Sequence, residues 1–448
     1  MSSQINNKIT FLQATIMSIN IMVGAGVFLG PGAMAALCGN ASFLGWILAA
    51  VVLLPIVYNI ARLPEIMPGA GGVYLYCKQG LGKTGGYVGG WLYFLCYNIS
   101  LTTALSAFYT SFFSMYPNLF VLQSKLVFLS VCLMTIFLLN LLSTQLSAKI
   151  QSYFTYFKLV PIITPIALLP FFLDIKNLSF SFSELSLLPQ TLPLAIFAFF
   201  GFEFCCNLSD KVEGGAKAAK KSILAGFLGV TALYALFHFS LLNIMGSKGL
   251  LLFQASGYSA FIGAKFPIIA SILAYLLPIT LFVTFFNSSY GLLFLEEIIL
   301  QSLADDKMLR FSNLFSHRNS NGRAWFCSLV ATLFSLFVGV MIKDLNNLAI
   351  ACNLMLFLLF SIVMAALFKA EQHKPFDFNR LAIIVGIFFG LGLVGFNWMQ
   401  ISGSFAEKIQ AMIPLFVGMF AGILLFNCQG TQCKNPQNKN TATNRVKN

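Results

Sequence analysis

Residues 24–32 read Gly24-Ala25-Gly26-Val27-Phe28-Leu29-Gly30-Pro31-Gly32, and residues 197–203 read Phe197-Ala198-Phe199-Phe200-Gly201-Phe202-Glu203. Each stretch interrupts a long apolar run. Glycine weakens a helix by about 1 kcal/mol per residue relative to alanine, and the first stretch holds four of them. The second carries a glycine and an ionisable glutamate. In lipid, a helix break survives only where the freed backbone groups face protein, water or ligand. The Gly-x-Gly pair is not a dinucleotide loop, because it follows a helical run rather than a strand. Close helix packing is the competing explanation for the first stretch.

The runs around these breaks decide the class. Of 448 residues, 58% are hydrophobic and 9% are charged, against roughly 25% charged in a soluble globular chain. A soluble enzyme, a disordered protein and a disulfide scaffold are excluded. Long apolar runs with few or no charges fall at 10–37, 42–61, 85–116, 126–142, 150–173, 188–208, 223–245, 267–299, 324–342, 345–368, 381–399 and 409–426. At ~20 residues per bilayer-spanning helix, these predict an all-α integral membrane protein of twelve spans. A nine-residue N-terminal segment (1–9) precedes a single domain over 10–426. The polar, Asn-rich tail 427–448 has a composition that predicts disorder.

With the N-terminus inside, twenty of the 27 basic residues fall on the inner side, six fall outside, and Lys158 is left within a span. This bias predicts both termini in the cytoplasm of a multi-pass cell-membrane protein, the inner membrane in a Gram-negative cell. An odd number of spans would destroy the bias in the second half. The net charge of +13 is topological. It forms no basic stripe for nucleic acid. The ten cysteines lie mostly in apolar runs without C-x-x-C or Cys/His spacing, so no metal site and no cofactor are expected.

The interrupted spans are the first and the sixth. Each opens a group of five, over 10–173 and 188–368, with two further spans at 381–426. Paired interruptions at corresponding positions point to a transporter with inverted repeats. In that design half-helix N-termini bind a carboxylate, and free carbonyls at opposing ends suit an ammonium. A site with both fits an amino-acid backbone.

These motifs resemble the amino acid–polyamine–organocation transporters. Residues 24–31 are similar to that family's first-span signature and residues 197–203 to its sixth. Pro68-Gly69-Ala70-Gly71-Gly72-Val73-Tyr74, Gly85-Gly86-Tyr87-Val88-Gly89-Gly90-Trp91 and Ala304-Asp305-Asp306 resemble family motifs in the matching order. The resemblance covers about residues 7–426. It implies a LeuT-like fold: ten core helices in two five-helix inverted repeats, with the first and sixth helices broken, plus two extra C-terminal helices. The bacterial basic amino acid/polyamine antiporters look most similar. Three features depart from that group. Phe197 stands where the arginine/agmatine exchangers carry tryptophan, Ala25 where they carry serine, and the stretch after the sixth span lacks an Asn-Pro. These departures weigh against arginine specificity.

The resemblance implies that Gly24, Ala25 and Gly26 offer N–H groups to a substrate carboxylate. Phe197, Ala198 and Phe199 would offer carbonyls to its ammonium, beside Gly201, with the Phe197 ring as a lid. Tyr93 would approach the same cavity by family position. Lys158 lies about 14 Å along the fifth span at 1.5 Å per residue, and a deep ionisable residue is a functional-site hypothesis by default. Phe157-Lys158-Leu159-Val160-Pro161 resembles a pattern of proton-coupled members, in which protonated Lys158 would contact freed carbonyls of the first span. Glu203 is read as the one acid deep in a span: a second proton site, an acidic partner for a basic substrate, or a structural group. Glu296 and Glu297 are read as part of a solvated charge cluster. Asn98, Asn287, Ser288 and Asn353 are read chiefly as interhelical hydrogen bonders, and His238 as packed.

The expected function is therefore a secondary permease or antiporter for amino acids or related amines, working by alternating access and linked to protons. Strict substrate exchange without protons and a transporter-like sensor remain open alternatives. An enzyme is not expected, since no nucleophile–base pair or H-E-x-x-H, G-x-S-x-G or paired intramembrane Asp is present. The expected partners are the small-molecule substrate, protons and the bilayer. A homodimer stays open, because the Gly386-x-x-x-Gly390 pair permits close helix packing either within one chain or between two.

Overall fold

A computed structural model describes residues 10–427 except 25, 68–71, 116–123, 143, 175–178, 204–205, 207–211, 254 and 402. Ala25, the 68–71 part of the second motif, the segment 1–9 and the tail from residue 428 onward lie outside the described residues.

Among the described residues the chain is helical, with no strand and one isolated antiparallel bridge, Leu309 to Phe426. The order is α1 (Phe11–Met22), α2 (Gly26–Cys38), α3 (Leu44–Ile66), α4 (Gly72–Met115), α5 (Lys125–Asn140), α6 (Thr144–Phe172), α7 (Phe182–Ser186) and α8 (Leu192–Ala198). It continues with α9 (Gly215–Phe253), α10 (Tyr258–Ile262), α11 (Pro267–Asp305), α12 (Ser312–Phe315), α13 (Trp325–Met341), α14 (Leu345–Ala370), α15 (Phe378–Gln400) and α16 (Phe405–Leu425). Six helical stretches are long and apolar enough to cross a membrane by length and composition, and five shorter apolar helices accompany them.

Two helices run further than the apolar pattern predicts. The helix at 85–116 begins at Gly72 and bends at Gly82, where φ is +80°. The helix at 223–245 runs over Gly215–Phe253 and bends at Gly246, with φ +69°. Hydropathy marks only the apolar part of such a helix. Its amphipathic extension carries Lys78 or Lys217 and is invisible to that measure.

The first break is built locally. A capping box, with Thr10 and Gln13 bonding reciprocally, starts α1. The helix ends at Met22, where Val23 turns away with ψ +88° and its N–H closes on Ile19 O. A second helix starts at Gly26. The other break follows α8. There the N–H groups of Phe199 and Phe200 tighten onto Ile196 O and Phe197 O, and Gly201 then takes φ +102°. The left-handed region is open to glycine without a Cβ penalty.

Packing sets these breaks in the middle of the molecule. α4 runs between α11 and α14, while α9 packs across α1, α2, α3 and α6. α15 lies on α14 and α3, with Gly386 and Gly390 against Met364 and Ser361 of α14. That small-residue pair is thus used inside the chain. Large apolar side chains such as Phe388, Phe420 and Ile423 are exposed on the outer surface of α15 and α16, as a lipid-facing surface requires.

Candidate functional site

The two breaks face each other. A Cβ placed on Gly26, the first residue of α2, would sit 2.7 Å from Cα and Cβ of Ala198, the last residue of α8. A Cβ on Gly201 would sit 2.5 Å from Cγ2 of Ile21 in α1. Real side-chain atoms do not approach so closely, so glycine at both positions is what lets the breaks meet.

Beside them is a cavity of about 470 Å³. Gly24, Gly26, Phe197, Ala198, Gly201, Lys158 and Glu203 line it. Ala25 is outside the described residues. Phe199 does not line the cavity. It is buried against Phe227 and Tyr234, with ring centroids at 5.1 and 5.5 Å. Tyr93 does not line it either. Its hydroxyl donates to Tyr97 Oη at 3.1 Å, and Tyr97, one turn further along α4, reaches the cavity. Tyr97 in turn donates to Glu203 Oε1 at 2.8 Å, and Gly201 N–H lies 3.2 Å from Glu203 Oε2. Glu203 thus closes the turn that follows the α8 break.

Lys158 projects from α6 onto the end of α1. Its Nζ donates to Asn20 O at 2.5 Å, a carbonyl in the last turn of α1, where helical N–H donors run out. Another clasp escapes sequence reading. The Tyr234 hydroxyl of α9 lies 2.7 Å from Met22 O and 3.0 Å from Ala198 O, so it spans both breaks. The Ala198 carbonyl, expected to face a substrate ammonium, therefore already has a protein partner. Phe197 O accepts the Phe200 N–H at 3.3 Å. The Phe197 ring meets Phe200 edge-on at 5.4 Å.

The polar residues of the other spans divide. Asn287 and Ser288 line the cavity, and Asn287 Oδ1 is buried without a partner among the described residues. Asn98 Nδ2 bonds Glu296 Oε2 at 2.8 Å and Ala331 O at 2.9 Å. Asn353 Nδ2 bonds Pro193 O and Asn397 Oδ1. These last two asparagines are interhelical ties. His238 is packed, receiving the Trp46 Nε1–H at 3.0 Å and lying 3.1 Å from Ser42 Oγ.

Glu296 and Glu297 require a correction. They are not a solvated face, and Glu203 is not the one deep acid, because both glutamates are buried. Glu297 forms a two-pronged ion pair with Arg323, at 2.9 and 2.7 Å, and also accepts bonds from Asn140, Ser328 and the Ala324 N–H. The desolvation of such a carboxylate is offset only by a partner set of this kind. That set comes from α5, α13 and the loop before α13, which no local window joins.

The arrangement brings together a helix N-terminus at Gly26, carbonyls at the ends of α1 and α8, and one basic and one acidic side chain. A family model described as amino acid permease matches residues 9–427. The chain is 24% identical to the serine/threonine exchanger SteT of Bacillus subtilis, over 93% of this chain and 97% of that one. It is 23% identical to the putrescine transporter PotE of Haemophilus influenzae, over 94% and 97%. It is 27% identical to an arginine/agmatine antiporter of Chlamydia pneumoniae, over 49% of each.

Proposed function

The chain belongs to the amino acid permease family, and from that membership we propose that it is a secondary transporter moving amino acids or related amines by alternating access, linked to protons. It is a multi-pass membrane transporter and not an enzyme. The finer reading is ours. It comprises twelve membrane helices, five-plus-five inverted repeats of the LeuT-like kind with two extra helices, and both termini in the cytoplasm.

One observation carries the transport reading: the α1–α2 break and the α8 break meet at a shared cavity, with Lys158 holding a carbonyl on one side. The N–H groups at Gly24 and Gly26 suit a carboxylate. Residual acceptor capacity at Phe197 and Ala198 suits an ammonium. Lys158 and Glu203 are the ionisable groups beside the breaks, and a proton gained or lost there changes how firmly α1 is held. Alternating access needs such a differential contact between two states.

A second reading, strict exchange without proton coupling, is favoured by the relatives named as exchangers and antiporters. Purified protein in liposomes separates the two. Uptake into empty vesicles driven by an inward proton gradient supports proton symport. Uptake that requires internal substrate and ignores the gradient supports exchange. No transport by folded protein would overturn both.

A further inference from the structure

Among the described residues the cavity carries two charged side chains, Lys158 and Glu203, and their formal charges cancel. Each is also engaged by protein: Lys158 Nζ on Asn20 O, and the two Glu203 oxygens with the Tyr97 hydroxyl and the Gly201 N–H. The ends of the broken helices can match the carboxylate and ammonium that every α-amino acid shares, so they do not distinguish one side chain from another.

The remaining wall decides specificity. Cys96, Ser100 and Ala104 of α4, Asn287 and Ser288 of α11, and Leu356 of α14 are uncharged. A cationic side chain, or the second ammonium of a diamine, would enter this wall as an extra positive charge with no acid in the wall itself, since the Glu203 carboxylate lies at the α8 break and is already bonded by Tyr97 and Gly201. The desolvation of an ion inside a protein is costly unless a partner of opposite charge offsets it. The Phe197 and Phe200 rings could return only part of that cost through cation–π attraction. The cavity lining includes two amides suited to a neutral hydrogen-bonding side chain, Asn287 and Asn20, whose Oδ1 atoms have no hydrogen-bond partner among the described residues.

We propose that this site selects net-neutral amino acids, with uncharged hydrogen-bonding side chains such as hydroxyls or amides, over cationic amino acids and diamines. The inference rests on the transporter reading above and decides between relatives named for neutral and for basic substrates.

The test is uptake by the full chain in liposomes loaded with a mixture of amino acids and amines, under an inward proton gradient. The external labelled substrates are L-serine, L-threonine and L-asparagine against L-arginine, L-ornithine and putrescine. Initial rates at least tenfold higher for the neutral group are expected. Asn287→Asp adds one negative charge to the wall at unchanged size and is expected to raise the ornithine-to-threonine rate ratio at least tenfold. Equal or preferred uptake of the cationic group by the wild type overturns the inference and leaves the transporter reading standing. An unchanged ratio in Asn287→Asp, in protein that still transports, overturns the charge argument. Absence of any uptake by protein with a normal unfolding transition overturns the transporter reading and this inference with it.

Discussion

Tyr234 is hydrogen-bonded to Met22, its hydroxyl 2.7 Å from the carbonyl oxygen that closes α1. The same hydroxyl is 3.0 Å from Ala198 O at the end of α8. One proton serves two acceptors, so the clasp favours the arrangement in which the breaks lie together. Loss of a buried hydrogen-bond partner costs about 1–3 kcal/mol. Tyr234→Phe is therefore expected to lower the unfolding midpoint in detergent and to reduce transport by about tenfold, the kinetic equivalent of 1.4 kcal/mol. A variant equal to wild type in both measurements would show that the clasp is idle.

Lys158 and Asn20 supply the test of proton linkage. Lys158→Gln keeps a donor for Asn20 O, 2.5 Å from Nζ in the wild type, and removes the titrating group. Its uptake is expected to vary by less than about twofold between roughly pH 5 and 8, while the wild type changes steeply, as linkage to a single titrating group requires. Glu203→Gln separates the two acid–base candidates. A full wild-type profile in that variant assigns the proton to Lys158, and a full profile in both removes proton coupling at these groups.

Asp306 is the control for that experiment. Burial pushes its carboxyl upward, but hydrogen bonds from Lys78 and Tyr74 and the charges of Lys78 and Lys83 outweigh this and hold it below the usual 3.8. The Lys78 contact is 2.6 Å. A carboxyl with a depressed value stabilises the fold above its unfolded pKa, and the contribution is lost as pH falls through the folded one. The window therefore lies below 3.8, far from the range of transport assays. Asp306→Asn is expected to leave the shape of the pH profile unchanged in proteoliposomes. A displaced profile would place the proton-linked group at the α4–α11 end instead.

The adjacent glutamates of α11 should behave in opposite ways. Glu297→Gln strands the Arg323 guanidinium in a buried site, and breaking a buried pair costs about 3–5 kcal/mol. Among the described residues Glu296 has one side-chain bond, from Asn98, and its Oε1 is buried without a partner. Glu296→Gln keeps an acceptor for Asn98 and replaces the orphan oxygen with an amide, so a change within about 1 kcal/mol is expected. Detergent unfolding of the two variants checks the order. Equal losses would mean that Glu296 has a partner as strong as Arg323.

The helix breaks and Lys158 were legible because their causes are local. Glycine density, a charged residue in an apolar run and the length of a span are all read within about twenty residues. Tyr234 was not legible. In a chain with 48 phenylalanines and 14 tyrosines, an aromatic residue within a helix carries no mark, and its partner Met22 is 212 residues away. Glu297 was misread for the same reason, since Asn140 lies 157 residues before it. Tyr93 was assigned to the cavity by family position, whereas Tyr97, on the same face one turn further along α4, reaches it and leaves Tyr93 one hydrogen bond behind. The Gly386–Gly390 pair was ambiguous until α14 was seen to occupy its face.

Glycines offer a last test, because the same substitution meets different surroundings. At Gly26 a methyl group would strike Ala198 at 2.7 Å, backbone included. At Gly201 it would strike Ile21 at 2.5 Å, on a residue whose φ is +102°. Neither clash is relieved by turning a flexible side chain alone, since α2 and α8 must separate in the first case and the backbone is strained in the second. Gly26→Ala and Gly201→Ala are each expected to abolish most transport and to lower the unfolding midpoint, by an overpacking penalty of about 1–3 kcal/mol. Gly392 and Gly395 of α15 have nothing within 4 Å of an added Cβ, and alanine there should stabilise the helix by up to about 1 kcal/mol. Transport and unfolding measured on all four variants give the contrast. Equal behaviour across the set would mean that the breaks stand apart in the working protein, and the site built on their contact would have to be abandoned.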